Sequence, residues 1–295
     1  MVAPGTPRLS EFVTLVAEQG RLLYRDFPWR RTTDPYAVLV SEVMLQQTQV
    51  ARVERRYDEW IADFPTLEAL AAAPLEVVLE SWQGLGYNRR AVALKRAAEQ
   101  IVADADAGGV PGPPTLPADE TALRALPGVG PATAAGVLAF AFDLPAVYLE
   151  TNVRTVFLHE LLADRDNVPD REIVPLVSAA VDEAAGQGVS ARVWYYALLD
   201  YGAHLKRTLP NPSRRSAHHA RQSRFEGSRR QKRAWLLRAV LAGSGECADG
   251  LARELSEFER AAGRDGVPAH EVEAILVAMA DEGFVVCHDG GWFVA

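Results

Sequence analysis

The stretch from Leu126 to Gly130 constrains the fold more than any other, because it places two glycines in a tight turn between two helical segments. One helix is predicted to run from Pro117 to about Leu126 and the next from Pro131 to about Phe142. The backbone at the tip of such a hairpin is bare, and the N–H groups that begin the second helix suit a phosphate oxygen. Taken alone, the turn also fits any helix–helix connection. The residues predicted to contact the phosphate backbone of a nucleic acid are Gly128, Val129 and Gly130.

Helical patterns fill most of the chain up to about residue 205. Asp34-Pro35 supplies an N-cap and a first helical residue for a helix predicted from Tyr36 to about Val50. A longer helix is predicted from Asn88 to about Ala105, and the Gly- and Pro-rich segment 108–117 is predicted to be a loop. We therefore expect a mainly α-helical protein.

The C-terminal residues 229–295 show a different order of elements. Three predicted helices come first, followed by a strand, a Gly-rich turn and a second strand, which is typical of a winged-helix domain. Residues 234–295 carry four arginines against eleven acidic residues. Because the phosphates of DNA repel an acidic surface, we expect this domain to serve in packing or protein contact rather than in direct recognition of DNA.

Positive charge is concentrated in one segment. The chain has a formal net charge of −8, yet residues 206–233 hold ten Lys or Arg and a single acid, Glu226. A local basic patch matters more than the overall charge for binding phosphates. The alternative interpretation of this segment is a solvated linker. His218 and His219 lie within it, and they suit phosphate contact or solvation better than metal binding.

The two cysteines, Cys247 and Cys287, are too few for a disulfide scaffold or a four-cysteine metal site, so we expect free thiols. No apolar run reaches the roughly 18 residues of a membrane span. The first residues lack a secretory pattern. We therefore expect a cytoplasmic protein without membrane contact.

Glu42 is a lone carboxylate in the apolar stretch from Ser41 to Val50, and three glutamines follow it. In a continuous helix Glu42, Gln46 and Gln49 would share one face. Burial would raise the pKa of the Glu42 carboxyl and allow it to act as a general acid near neutral pH. Glutamines suit hydrogen bonding to base edges. On spacing alone, a solvent-facing Glu42 is the simpler interpretation.

Four motifs together resemble the adenine DNA glycosylases of the helix-hairpin-helix superfamily, relatives of endonuclease III. The resemblance runs from about Pro28 to Ala203 and implies two helical lobes with DNA in the cleft between them. A glycosylase domain is then expected over 1–228, with a six-helix lobe at about 30–145. Its second lobe comprises 1–29 and 146–228 and ends in the basic segment 206–228. The motifs are Phe27-Pro-Trp-Arg30, Ser41-Glu-Val-Met-Leu-Gln-Gln-Thr-Gln-Val50, Trp82-Gln-Gly-Leu-Gly-Tyr87 and Leu126-Pro-Gly-Val-Gly130.

The resemblance also implies roles for individual residues. Glu42 matches the catalytic glutamate, which protonates the purine. The expected wall of the base pocket comprises Trp29, Arg30, Leu45 and Tyr196. The residues expected to enter the DNA at the lesion are Gln46, Gln47, Gln49 and Tyr87.

Two departures from the family pattern concern the chemistry. Glu150 stands where a catalytic aspartate is expected, and we predict that it stays catalytic with support from Asn152, since a carboxylate can still stabilise positive charge on the sugar. Ala132 stands where strand-cleaving relatives have a lysine, and a methyl group cannot form a Schiff base. The expected reaction is therefore hydrolysis without lyase activity.

Two further departures concern the base pocket and the cofactor. Tyr196 aligns with a Glu or Gln that helps to read adenine, which puts base selectivity in question. Lys206 stands at the first of four cysteine positions, so no [4Fe-4S] cluster is expected and no cofactor is required. We expect the basic segment to contact the DNA backbone instead, and a monovalent cation could bind at the hairpin. The expected contact residues are Arg214, Arg215, Arg221 and Arg224.

The sequence thus predicts a monofunctional DNA glycosylase of base excision repair, acting on adenine opposite guanine or 8-oxoguanine. Alternatives are another target, such as thymine in G·T or hypoxanthine, or a catalytically silent protein that binds DNA structure. The expected partner is double-stranded DNA with a mismatch or lesion, bound by a monomer associated with the nucleoid. The C-terminal domain could bind a protein.

Overall fold

The computed structural model describes residues 7–108, 112–219, 224–243 and 245–295. This part of the chain is mainly helical, as predicted. The helices are α1 (Pro7–Leu23), α2 (Pro35–Leu45), α3 (Val50–Asp63), α4 (Leu67–Ala72), α5 (Leu75–Ser81), α6 (Arg89–Gly108), α7 (Glu120–Arg124), α8 (Pro131–Phe142), α9 (Thr151–Glu160), α10 (Asp170–Gly186), α11 (Ala191–Thr208), α12 (Arg229–Ala242), α13 (Ala248–Ala261) and α14 (Ala269–Asp281). The strands are β1 (Val285–His288) and β2 (Gly291–Val294).

The chain divides into two compact units. The first comprises Met1–Ile61 and Gly108–Arg221, and the second comprises Ala62–Ala107 and Gln222–Ala295. Each unit therefore combines segments that are distant in the sequence. The predicted domain boundary between residues 228 and 229 stays a prediction.

Helix α2 begins where the sequence predicts but ends five residues early. The Asp34 side chain accepts a hydrogen bond from the N–H of Tyr36 at 3.1 Å, and Pro35 is the first helical residue. The helix stops at Leu45 because Gln46 leaves the helical region and Gln47 adopts a left-handed φ of 52°. The prediction of a helix to Val50, with Glu42, Gln46 and Gln49 on one face, is therefore wrong.

The predicted hairpin is present between α7 and α8. Its first helix begins at Glu120 rather than Pro117, because the Asp119 side chain caps it by accepting from the N–H of Ala122 at 2.8 Å. Gly128 has a φ of 75°, which a residue with a side chain adopts only under strain. The Val129 N–H donates to the Leu126 carbonyl at 3.2 Å, and the Val129 side chain is buried. The turn is thus anchored to the core while Gly128 remains exposed.

Close helix contacts organise the first unit around α8 and α11. Helix α8 is apolar on all sides, and eight of its twelve residues are buried. It packs against α2, while α11 packs against α1 and α9. A Cβ on Gly202 of α11 would lie 2.7 Å from the backbone carbon of Asn152, so only glycine allows α11 to approach the start of α9 this closely.

In the second unit, the predicted order of three helices and two strands is confirmed in α12, α13, α14, β1 and β2. The strands pair antiparallel, with Val285 opposite Val294 and His288 opposite Gly291. Positive φ angles at Asp289 and Gly290 form the tight turn between them. The assignment of this segment as a winged-helix domain stays a prediction.

Candidate active site

The Glu42 carboxylate lies against α8 at a position that only glycine permits. A Cβ on Gly136 would overlap Glu42 Oε2 and would lie 2.8 Å from its Cδ. The same Cβ would be 3.1 Å from the ring of Tyr148, whose side chain also hydrogen bonds Glu42. Glu42 is half-buried, and its carboxylate lies against core side chains of α8, so it does not lie on a fully solvated face.

This environment changes the protonation of Glu42. Burial raises the pKa of the Glu42 carboxyl to about 8, and the negative charge of Glu150 contributes to the rise. The hydrogen bond with Tyr148 opposes it. At neutral pH the carboxyl consequently holds its proton, as a general acid must.

Glu150 is the N-cap of α9, so its carboxylate is fixed by the backbone. Oε1 accepts hydrogen bonds from the N–H of Asn152 at 2.5 Å and of Val153 at 3.0 Å. Burial raises the pKa of Glu150 above its ordinary value, and these backbone donors together with the charges of Lys206 and Arg154 offset only part of the rise. The donors and cations favour the ionised carboxylate. A capping residue with two N–H partners also has a defined orientation.

Asn152 lies beside Glu150 in the first turn of α9. Its Nδ2 is 3.4 Å from Glu150 Oε2. Within the described residues, its buried Oδ1 has no hydrogen-bond partner. An unsatisfied buried acceptor is costly, so this atom is available for a donor supplied by a ligand or water.

Three stacked side chains form a wall next to Glu42. The Arg30 guanidinium carbon lies 4.3 Å above the Tyr196 ring, which stacks on Phe140 with a centroid distance of 4.6 Å. Tyr196 is 7% exposed, and burial raises the pKa of its hydroxyl. The negative charge of Glu42 also raises the pKa of this hydroxyl.

Arg30 itself is held by a buried carboxylate. Its Nη1 and Nη2 donate to the two oxygens of Asp200 at 2.7 and 2.9 Å, and the Arg25 Nε donates to the same group at 2.6 Å. Both terminal nitrogens of Arg30 therefore donate hydrogen bonds to Asp200. Arg30 consequently supports the ring of Tyr196 by stacking on it.

The other two predicted pocket residues differ in burial. Trp29 is 5% exposed, stacks on Phe27 at 4.8 Å and meets Tyr57 edge-on. Leu45 is the last residue of α2 and is half-buried. Of the two, Leu45 is the more accessible to a bound base.

The predicted lesion-contact residues fall in both units. Gln46 donates from Nε2 to Thr133 Oγ1 at 2.9 Å, which links the end of α2 to the start of α8. Gln47 and Gln49 lie exposed in the turn before α3. Tyr87 belongs to the second unit, where it is 39% exposed with a φ of 49°.

The arginines predicted to contact the DNA backbone also differ in their surroundings. Arg214 is exposed, whereas the Arg215 guanidinium donates to the carbonyls of Leu162, Ala163 and Leu158 near the end of α9. Arg224 is exposed and lies 3.4 Å from Glu226. Arg221 lies outside the described residues. Arg215 thus has a structural role, and DNA contact by these arginines stays a prediction.

The sequence did not single out Tyr148, Gly136 or Asp200 as functional. Tyr148 lies two residues before Glu150, and no local pattern distinguishes it from a core tyrosine. Asp200 lies four residues after Tyr196, so the helical period could have paired them on one face of α11. The importance of Gly136 becomes visible only when α2 is packed against it.

Among the described residues, no group of three His, Cys, Asp or Glu side chains is arranged to hold a metal ion. The absence of a cofactor and the monovalent cation at the hairpin stay predictions. None of the helices described here is both long and apolar enough to cross a membrane.

The chain is similar to several known DNA repair proteins. Residues 40–176 match the family model described as HhH-GPD superfamily base excision DNA repair protein. An adenine DNA glycosylase of Mycolicibacterium smegmatis is 36% identical over 180 residues, which cover 61% of this chain and 58% of that protein. A human adenine DNA glycosylase is 42% identical over 140 residues, which cover 45% of this chain and 24% of that protein.

Among solved structures, a thermostable thymine-DNA glycosylase superposes with a TM-score of 0.56 and 25% identity. The match covers 66% of this chain and 86% of that one. The chain spans about three fifths or less of the length of the curated relatives described above.

Proposed function

We propose that this chain is a monofunctional DNA glycosylase, because its residues 40–176 match the model of the HhH-GPD superfamily of base excision DNA repair proteins. Its proposed substrate is adenine opposite guanine or 8-oxoguanine in duplex DNA. The observation that carries the proposal is the Glu42 carboxyl, whose pKa of about 8 keeps it protonated beside a second carboxylate, Glu150. In this proposal a monomer acts on nucleoid DNA in the cytoplasm.

In the proposed reaction, protonated Glu42 donates its proton to a ring nitrogen of the flipped purine. The bond between C1′ and the base then breaks, and the electron pair leaves with the base. Positive charge develops on the sugar, and the ionised Glu150 carboxylate stabilises it. Glu42, now a carboxylate, accepts a proton from the water that adds to C1′. The products are free adenine and an abasic site.

Ala132 supports hydrolysis by water rather than a covalent route. It lies in the first turn of α8, after the hairpin, and its methyl group has no nucleophilic atom. Borohydride should therefore trap no covalent complex with DNA. A trapped adduct would show that another amine of the chain attacks the sugar.

Two observations favour thymine in a G·T mispair as the second candidate. Tyr196, rather than a carboxylate or amide, forms the pocket wall, and its hydroxyl can donate or accept. The thymine-DNA glycosylase that resembles this chain shows that the fold accommodates a pyrimidine site. The names of the curated relatives favour adenine.

The test is a panel of duplexes with A·G, A·8-oxoguanine, T·G, hypoxanthine·T or no mispair, followed by alkali to cut abasic sites. Wild type should cut one of the adenine duplexes, and Glu42→Gln should cut none. Glu54→Gln, an exposed glutamate of α3, is the matched control and should behave as wild type. Cleavage of only the T·G duplex would favour the second candidate. Cleavage of none would favour a catalytically silent protein that binds DNA structure.

A further inference from the structure

Tyr87 is an exposed aromatic side chain at the end of a loop in the second unit. The ring is 39% exposed, and the backbone has a φ of 49°, which residues other than glycine rarely adopt. Gly84 and Gly86 before it also have positive φ angles. Such a conformation persists only where surrounding contacts hold it in place.

Arg90 holds the backbone of this loop. Its Nη2 donates to the carbonyls of Gly86 at 2.8 Å and Leu85 at 3.2 Å. The guanidinium also lies over the ring of Trp82 at 5.3 Å and near the ring of Tyr87 at 5.7 Å. Burial lowers the pKa of Arg90 to about 10, so the group stays charged at neutral pH.

Arg230 holds the other end of Tyr87, and it comes from the C-terminal part of the chain. Its Nη1 donates to the Tyr87 hydroxyl at 2.8 Å, and its guanidinium carbon is 5.9 Å from the ring centroid. Arg230 is the second residue of α12. The orientation of the Tyr87 ring therefore depends on a residue 143 positions away in the sequence.

Other contacts fix α12 and α14 against α6 in the same unit. Glu282 forms ion pairs with Arg89 at 3.2 Å and with Arg233 at 2.5 Å. A Cβ on Gly283 would lie 2.5 Å from Arg96 Nη2, so the chain after α14 packs directly on α6. These contacts place Arg230 beside the loop of Tyr87 by a defined packing.

An exposed aromatic ring between guanidinium groups suits nucleic acid, because the ring stacks on a base and the cations neutralise phosphates. We propose that Arg230 is a positioning residue, which fixes the Tyr87 ring for insertion into duplex DNA at a lesion. The basic start of α12 then contributes to the DNA-contacting surface, although residues 234–295 after it are acidic. This inference rests on the proposed function.

A double-mutant cycle tests the contact. Tyr87→Phe removes the hydroxyl and keeps the ring, Arg230→Gln removes the guanidinium, and the third variant combines both. Arg229→Gln is the matched control, because Arg229 is the exposed neighbour and carries the same charge. The affinities to measure are those for a duplex with one tetrahydrofuran abasic-site analogue and for the same duplex without it.

Each single variant should bind the abasic-site duplex about fivefold more weakly, as expected for one lost hydrogen bond. Measured relative to undamaged DNA, the double variant should bind the abasic-site duplex no more weakly than either single variant, and Tyr87→Phe should leave binding to undamaged DNA nearly unchanged. Arg229→Gln should weaken binding to both duplexes by the same factor, which leaves their ratio unchanged. The proposal would be overturned if the affinity losses of the two single variants multiplied in the double variant. It would also be overturned if Arg230→Gln, like Arg229→Gln, weakened binding to both duplexes by the same factor.

A second measurement separates positioning from simple loss of fold. With 2-aminopurine beside the abasic-site analogue, Arg230→Gln should reduce the fluorescence increase on binding, while Arg230→Lys, which keeps a donor, should restore part of it. Unchanged fluorescence in a folded Arg230→Gln variant would contradict the inference. If no duplex of the base panel is cut, the proposed function fails, yet the binding cycle still reports on the contact.

Discussion

Gly136 and Glu42 are in such close contact that a single methyl group on Gly136 would occupy the position of the Glu42 carboxylate oxygen. The proposed acid, Glu42, is thus located by the absence of a side chain on α8 as much as by its own place on α2. Tyr148 closes the site from a third direction by its hydrogen bond with Glu42. The position of the proposed proton donor is consequently fixed by packing.

Gly136→Ala should therefore lower the rate of base excision about 100-fold, because a displacement of the acid by about 1 Å is enough for such a loss. The single-turnover rate at saturating enzyme measures it. Gly186→Ala is the control, since a Cβ at Gly186 would meet no heavy atom within 4 Å. Equal rates for both variants would show that the contact has no role in catalysis.

The rate of base excision should fall as the pH rises through about 8, because the proposed acid, Glu42, donates a proton only in its protonated form. For a single group with this pKa, the rate at pH 9 is about tenfold lower than at pH 7. Tyr148→Phe should move the midpoint upward, since the hydrogen bond of Tyr148 lowers the pKa of Glu42. A rate that is constant or rises between pH 7 and 9 would exclude Glu42 as the acid.

Glu42 should also make the folded protein less stable at high pH. Its pKa is about 8 in the folded state against an ordinary 4.5, so the folded state binds more protons between these values. The free energy of unfolding then falls as the pH rises from about 4.5 to about 8. The Tm of Glu42→Gln relative to wild type should accordingly increase over this range. A difference in Tm that does not depend on pH would contradict the shift.

Asp200→Asn should cost about 3–5 kcal/mol of the free energy of unfolding, because it leaves the buried Arg30 guanidinium without its carboxylate. The Arg30 and Asp200 side chains are 2% and 0% exposed. Asp26→Asn removes an exposed ion pair with Arg31 and should change little. Urea unfolding at neutral pH compares the two. If both variants lost a similarly small free energy of unfolding, the Arg30–Asp200 pair would not support the wall formed by Arg30, Tyr196 and Phe140.

Arg214 and Arg215 are neighbours with opposite expected effects. Arg214→Ala should keep stability but reduce the slope of log affinity against log salt by about 0.9, as for one lost phosphate contact. Arg215→Ala should mainly lower the Tm, because its guanidinium binds three carbonyl oxygens near the end of α9. The two measurements are a salt titration of DNA binding and thermal unfolding. A reversed pattern would assign the phosphate contact to Arg215.

The break after Leu45 shows why the sequence could not define the whole site. The residues that follow are glutamines, which are good helix formers, so local propensity favours a continuous helix. The helix ends in a tertiary environment in which Gln46 binds Thr133, 87 residues further along the chain. A propensity of tenths of a kcal/mol per residue is easily overridden by such packing.

Local chemistry determined other features of this protein from the sequence alone. Asp34 and Asp119 cap helices through hydrogen bonds within three residues, and Gly128 allows a turn that other residues would strain. The strand order of the C-terminal hairpin and the helical character of the chain are likewise short-range properties. Only the tertiary structure decided three other features. These are the two hydrogen bonds from Arg30 to Asp200, the hydrogen bond from Arg230 to the Tyr87 hydroxyl, and the raised pKa of Glu42. Desolvation and partner distance produce those properties, and both depend on which distant segments pack together.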